Sequence, residues 1–307
     1  MSPNIPDVHK YSPPGHCNVQ AVTIPSEMSA FCRMPLGYGP FPGPRQTTSG
    51  LPHHGWNEAR STTYSLIFKA DKSHLSTFLP NEHFRIDTEN GLAYASFALV
   101  HLENLPWLAG RGYNHFGFYI HDVVCKDGAD EVRGKYLIVL FEDCADAITS
   151  GREELGYAKL WADLSAKYES TNMRLCLGWD GSVFGELSIN GLRNNEGDVP
   201  DPAKVSFRPM QGILHYKYVP RTGSPGEADV QYPTFTPAPA EGTSRVLRTA
   251  LSQTGHFGFK ALSFAELPTL HHVAARLSEL RPQGPVDCIV IEEVGVSDIS
   301  SQRILRA

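Results

Sequence analysis

The sequence predicts an α+β fold, mainly antiparallel β, wound into a closed β-barrel or cone with peripheral helices. Three observations carry this expectation. Short runs rich in β-branched and aromatic residues recur from residue 62 onward, which is the composition of strands. One segment alone has the clear three-and-four apolar spacing of a helix. Strands do not alternate with long helices, which disfavours a parallel doubly wound sheet. Many strands with few helices favour a barrel or, as the neighbouring alternative, a sandwich.

The elements follow in order. Residues 1–59 are rich in Pro and Gly, above all in the run from Met34 to Pro44. Prolines at that density interrupt helices and central strands alike. The expected organisation is an extended arm or lid over residues 1–55 and a single β domain over 56–307. Thr62 to Phe68 reads as a strand. Asp71 caps a short helical stretch, Lys72 to Leu79, which Pro80 stops. Leu92 to Leu102, Phe116 to Val124 and Tyr136 to Phe141 read as strands. Met173 to Trp179 and Val183 to Arg193 flank Asp180-Gly181, a hairpin turn signal. Val205 to Val219 and Asp229 to Phe235 continue the β content, with loops marked by Pro202, Pro209, Pro220 and the segment Thr222 to Thr243. Leu270, Val273, Ala274, Leu277 and Leu280 share one helical face, opened by Pro268 and ended by Pro282 and Gly284. Cys288 to Val296 is read as the final strand. No internal repeat has a solenoid period.

Composition narrows the function classes. The chain has 307 residues, 20% charged, with a formal net charge of −6. A mildly acidic balance without a basic tract argues against nucleic acid as the main partner. No stretch approaches the roughly 20 apolar residues that span a bilayer, and the N-terminus has no apolar signal core. The expectation is a soluble, cytoplasmic protein with no membrane partner. Cys17, Cys32, Cys125, Cys144, Cys176 and Cys288 contain no Cys-x-x-Cys pair, so they read as small buried hydrophobes. The doublets His53-His54 and His271-His272 lack zinc-protease spacing. Neither a metal nor a cofactor is expected. Phosphate-loop, nucleophile-elbow and dinucleotide-loop signatures are missing as well.

What remains is an amine. Lys159 lies in Gly151-Arg152-Glu153-Glu154-Leu155-Gly156-Tyr157-Ala158-Lys159-Leu160-Trp161, with uncharged neighbours on both sides. Desolvation disfavours the ammonium form, and a neutral amine is a nucleophile towards carbonyls. The ordinary alternative is a snorkelling lysine, stem buried and head in water.

This run resembles the Gly-Arg-Glu-…-Tyr-Pro-Lys segment of the acetoacetate decarboxylase family. Order and spacing extend the resemblance over about residues 55 to 300, through Thr62 to Asp71, the hairpin at Gly185 to Arg193 and Leu214 to Pro220. It implies that Lys159 forms the Schiff base with a keto acid, and that the chain is a homo-oligomer. The departures are specific. Leu160 stands where the family often has a second lysine, so burial, with which Leu160 and Trp161 are consistent, must replace a neighbouring cation. His115 falls where the family has an essential glutamate, Ser96 near a second one, and Ser61 where it has an arginine, with Arg60 one place away. The altered polar set argues for a larger or less charged substrate than acetoacetate.

The expected function is that of a Schiff-base-forming carbon–carbon lyase acting on a keto acid or related carbonyl metabolite by decarboxylation. The same imine supports aldol or dehydration chemistry. A non-covalent binding or cyclisation scaffold in a secondary-metabolite pathway is the alternative from another class. On one strand, Tyr113, His115, Tyr119 and His121 share a face. His115 is the candidate acid–base partner of Lys159, because an imidazole ordinarily titrates near neutrality. Tyr113, Tyr119 and Ser96 are candidate substrate contacts. Arg60 and Arg152 are candidate carboxylate binders, since a guanidinium grips that group with two bonds. Packing is the plain alternative for the tyrosines, and internal pairing with Glu153 or Glu142 for Arg152.

Overall fold

A computed structural model describes residues 33–34, 43–195 and 211–307. Most of the expected arm, Cys17, Cys32, Pro202, Pro209 and the start of the strand expected from Val205 lie outside the described residues.

The expected strands form and are mostly longer than their apolar runs. In chain order the strands, expected and unexpected together, are β1 (Arg60–Asp71), β2 (Phe84–Ile86), β3 (Leu92–Leu105), β4 (Arg111–Asp127), β5 (Asp130–Glu142), β6 (Lys159–Trp161), β7 (Asp163–Tyr168), β8 (Met173–Trp179) and β9 (Ser182–Asn190). Beyond these come β10 (Arg193–Asn194), β11 (Gly212–Pro220), β12 (Ala228–Pro237), β13 (Arg245–Ser252), β14 (Thr254–Phe259), β15 (Asp287–Val294) and β16 (Arg303–Ile304). The helices are α1 (Lys72–Ser76), α2 (Ala145–Ser150) and α3 (His271–Ser278). Asp71 caps α1 as expected, its carboxylate accepting from the His74 amide at 2.8 Å. Asp180 and Gly181 both take positive φ, 45° and 84°, which lets two residues join β8 to β9.

The expected closed barrel is not found; the sheets are open. The larger one runs β10-β13-β15-β1-β3-β4-β5-β11-β12-β16, with β2 on β4 and β6 on β5. The smaller is β14-β9-β8-β7. The ends of the long path are two-residue strands that pair on one side only. Apolar alternation marks which residues are strand and which face is buried, but carries no information about whether the last strand meets the first. Pairing is antiparallel except at β5, which has parallel partners in β6 and β11. The helical stretch Lys72 to Leu79 forms only over α1, and β16 follows the strand expected to be last.

The large sheet is buried on both faces along β4 and β5, which is why Tyr136 to Phe141 reads as an unbroken apolar run. One face carries Phe97, Phe116, Phe118 and Phe141, all fully buried. Phe97 stacks on Phe118 with centroids 4.9 Å apart. The small sheet closes over them, with Phe257 4.8 Å from Phe97 and Phe184 5.5 Å from Phe141. Truncating such a ring to Ala typically costs about 3–5 kcal/mol. The opposite face of the same strands holds the polar residues that the sequence singled out.

Candidate active site

Strand register brings the site together. Glu142 on β5 stands directly opposite His115 on β4. On its other side, Leu140 pairs with Lys159 on the parallel strand β6. Residues two apart on a strand share a face, so Leu140, Glu142 and Lys159 project the same way, beside His115. Lys159 is 7% exposed and Glu142 is fully buried. The Lys159 Nζ lies 2.9 Å from Glu142 Oε1 and donates to the Ala147 carbonyl at 2.9 Å. Its third partner is the face of Tyr157, with Nζ 5.2 Å from the ring centroid.

The chain between β5 and β6 shapes this contact. α2 runs straight into a π-helical turn, Gly151–Leu155, which ends at Gly156 with φ of 76°. π turns inside helices recur at functional sites. A Cβ on Gly151 would stand 2.4 Å from Lys159 Cδ and Cε and 2.7 Å from Nζ. Gly151 therefore leaves the channel through which the lysine side chain passes. Arg152 on the same turn donates to the Lys159 carbonyl at 3.1 Å, fixing the backbone of the residue rather than meeting its amine.

Lys159, Glu142, His115, Tyr113, Tyr119 and Tyr157 line a cavity of about 210 Å³, completed by Trp56, Trp107 and apolar side chains. That is below the roughly 300–1,000 Å³ usual for drug-sized ligands. Tyr119 lies across Gly117, where an added Cβ would meet the ring at 2.6–2.8 Å. Tyr157 is held from the side by Thr236, its hydroxyl 3.0 Å from Thr236 Oγ1, which also lies 3.0 Å from His215 Nε2.

Burial dominates the electrostatics. It pushes the His115 imidazole down to about 3, helped by the Lys159 charge. The near-neutral titration on which its choice as an acid–base group rests is thereby removed, and His115 stays a neutral hydrogen-bonding group. His215 is pushed to about 3 by the same two causes. Burial raises the Glu142 carboxyl, while the Lys159 charge and hydrogen bond pull it back. Burial also lifts the Tyr157 phenol to about 12 and those of Tyr113 and Tyr119 above their ordinary value.

The structure thus gathers Lys159, His115, Tyr113 and Tyr119 around one space, and places four other sequence candidates elsewhere. Ser96 is buried and shares a 2.8 Å hydrogen bond with His121 Nε2. Neither is among the lining residues; for His121, the register shifts of β4 against β5 after Phe118 and after Ile120 break the alternation. Arg60 is exposed and lines an outer groove with His101, Asn114 and Asp143; Tyr113 borders both that groove and the cavity. Arg152 lines a separate hollow behind β6 with Leu160 and Arg276. Trp161, expected to help bury the lysine, is 41% exposed; β4, β5 and α2 do that instead. Glu142 and Tyr157 were not singled out from sequence. The one signal was a carboxylate ending the apolar run Tyr136 to Phe141. Among the described residues no cluster of three or more His, Cys, Asp or Glu side chains is placed to hold a metal. No helix among them is long and apolar enough to cross a membrane.

Comparison with known proteins gives a consistent picture. A search of curated proteins found no match. Residues 34–279 match the family model described as acetoacetate decarboxylase (ADC). Similar solved structures include an acetoacetate decarboxylase with TM-score 0.59 and 13% identity, covering 92% of this chain and 98% of that one. The acetoacetate decarboxylase of Legionella pneumophila has TM-score 0.53 and 14% identity, covering 81% and 87%. The enduracididine biosynthesis enzyme MppR, complexed with pyruvate, has TM-score 0.54 and 13% identity, covering 81% and 89%. At such identities the structural likeness carries the fold alone. With the family model matching well over half its length, the chain belongs to the acetoacetate decarboxylase family.

Proposed function

We propose that this protein is a Schiff-base-forming carbon–carbon lyase whose imine is carried by Lys159. The observation that carries the reading is the Lys159 amine, buried at the edge of a cavity and 2.9 Å from a buried carboxylate. Passing one proton from Nζ to Glu142 turns an ammonium–carboxylate pair into an amine and a carboxylic acid, with no change in net charge. Between two buried side chains that exchange is far easier than losing the proton to solvent.

The steps then balance. The neutral amine attacks the substrate carbonyl carbon and gives a carbinolamine. Glu142 returns its proton to the departing hydroxyl, water leaves, and a cationic iminium faces the Glu142 carboxylate. The iminium accepts the electron pair of an adjacent carbon–carbon bond. Cleavage releases carbon dioxide from a β-keto acid or, as the Glu142 carboxylate takes up the β-hydroxyl proton, an aldehyde from a β-hydroxy ketone, and leaves an enamine. Protonation at carbon and hydrolysis regenerate Lys159. His115, neutral and opposite Glu142 on the neighbouring strand, supplies a hydrogen bond in this scheme rather than a charge. The decarboxylation and retro-aldol branches share every step up to bond cleavage. Oligomerisation, implied by the family resemblance, remains part of the proposal.

The test is oxygen exchange. Imine formation and hydrolysis replace the carbonyl oxygen of a ketone by one from water, whatever follows. Wild-type protein in isotopically heavy water is expected to label small ketones far faster than buffer, and Lys159→Ala to lose this completely. Equal labelling by wild type and Lys159→Ala sinks the proposal.

A further inference from the structure

The candidate carboxylate binders lie outside the cavity, and this bears on what the cavity accepts. Among the described residues that line it, Lys159 is the one cation, and it is already paired with Glu142. Arg60 opens onto the outer groove and Arg152 onto the hollow behind β6. The other polar side chains lining it are uncharged at neutral pH: two indoles, three phenols, the His115 imidazole and the hydroxyls of Ser150 and Ser297. Trp56 Nε1 and His115 Nδ1 are buried without a hydrogen-bond partner. They can bond to a ligand oxygen, but they bring no countercharge.

We infer that the cavity takes a neutral carbonyl compound with an aromatic or conjugated body, and that Glu142 is the residue that turns carboxylates away. The inference rests on the imine reading above and selects its aldehyde-releasing branch over decarboxylation, whose substrate carries the carboxylate that Glu142 repels. Charge accounting supports it. With a neutral substrate, the amine–acid pair and the later iminium–carboxylate pair both sum to zero, so no stage buries a net charge. A keto acid adds one negative charge beside Glu142. That charge must be buried unpaired, at a cost of several kcal/mol, or matched by a proton taken from solvent. The walls fit the body of such a substrate. Trp107 meets Tyr113 edge-on at 6.3 Å, and Tyr113 lies 6.2 Å from His115, so a planar molecule finds ring faces and edges along one side. About 210 Å³ suits one ring with a short side chain.

The experiment is borohydride trapping with matched pairs. Benzylideneacetone is set against benzylidenepyruvate, and methyl acetoacetate against acetoacetate. The adduct fraction is read by intact mass and normalised to trapping on butylamine under the same conditions. The neutral member of each pair is expected to be trapped about tenfold more, and the aromatic pair more than the small one. Equal trapping, or preference for the acids, overturns the inference while leaving the imine reading intact. No adduct with any of the four overturns the imine reading itself. Glu142→Gln lowers trapping of all four compounds, because it removes the proton acceptor of the amine, and is expected to shift their ratio towards the acids; Glu142→Met serves if that variant does not fold. An unchanged ratio overturns the assignment to Glu142.

Discussion

The Lys159 amine and the Glu142 carboxylate meet at 2.9 Å across two parallel strands, both side chains buried. Desolvation penalises each charge alone, and their mutual attraction offsets it. Removing one partner strands the other.

That asymmetry gives the first prediction. Lys159→Met at pH 8 leaves Glu142 buried and unpaired, at a cost of about 3–5 kcal/mol. The difference from wild type shrinks towards pH 5, because the raised carboxyl takes up a proton and becomes neutral. The double variant Lys159→Met/Glu142→Leu recovers most of the loss. Urea unfolding at both pH values measures this. Single variants that cost under about 1 kcal/mol, the scale of an exposed ion pair, contradict it.

Gly151 makes a second case, in which geometry and stability separate. The methyl of Gly151→Ala occupies the path of the Lys159 side chain, and the flexible end of that side chain yields before the backbone does. Displacing the amine by an ångström or so lowers imine formation by about 10²-fold. The turn is helical at Gly151, with φ of −65°, so alanine fits its backbone and the melting temperature moves by only a few degrees. Trapping kinetics and a thermal melt on one sample decide the matter. A variant that unfolds, or that traps as fast as wild type, counts against the account.

Three buried histidines set a pH dependence of stability. Burial pushes His115 and His215 to about 3 and His121 well below its ordinary value. Between about pH 3 and 6.5 the unfolded chain therefore binds protons that the folded one does not. Stability is fully present above 6.5 and falls as pH drops through the window, by roughly 1.4 kcal/mol per pH unit for each histidine. Glu142, raised by burial, acts in the opposite sense above its ordinary 4.5, one group against three. Denaturation midpoints at pH 7.5 and 5.5 are expected to fall on acidification, and less so in His215→Asn. A midpoint that rises contradicts this linkage.

Much of this was legible in the residues. The lysine segment marked Lys159, Asp71 marked a helix start, and Asp180-Gly181 marked a hairpin. The apolar face from Leu270 to Leu280 marked α3, in which Ala274 and Leu277 are buried. What stayed hidden depends on pairing. Glu142 ends an apolar run and so looks like a strand boundary. Only its register with His115 and the parallel return of β6 make it the partner of the amine. Parallel return usually takes a long crossover helix; here a six-residue helix and a π turn suffice, with no sequence signal of a βαβ unit. Arg60 and Arg152 have the right chemistry on the wrong sides, which local sequence does not encode. β13 and β14 alternate too weakly to stand out, their residues largely exposed or half-buried.

The central claim is that one sheltered amine does the chemistry. Its most direct measurement is peptide mapping after reduction with borohydride in the presence of benzylideneacetone. The account predicts a single added mass on the peptide that carries Lys159, absent from Lys159→Ala. Label spread over exposed lysines, or surviving unchanged in Lys159→Ala, contradicts it.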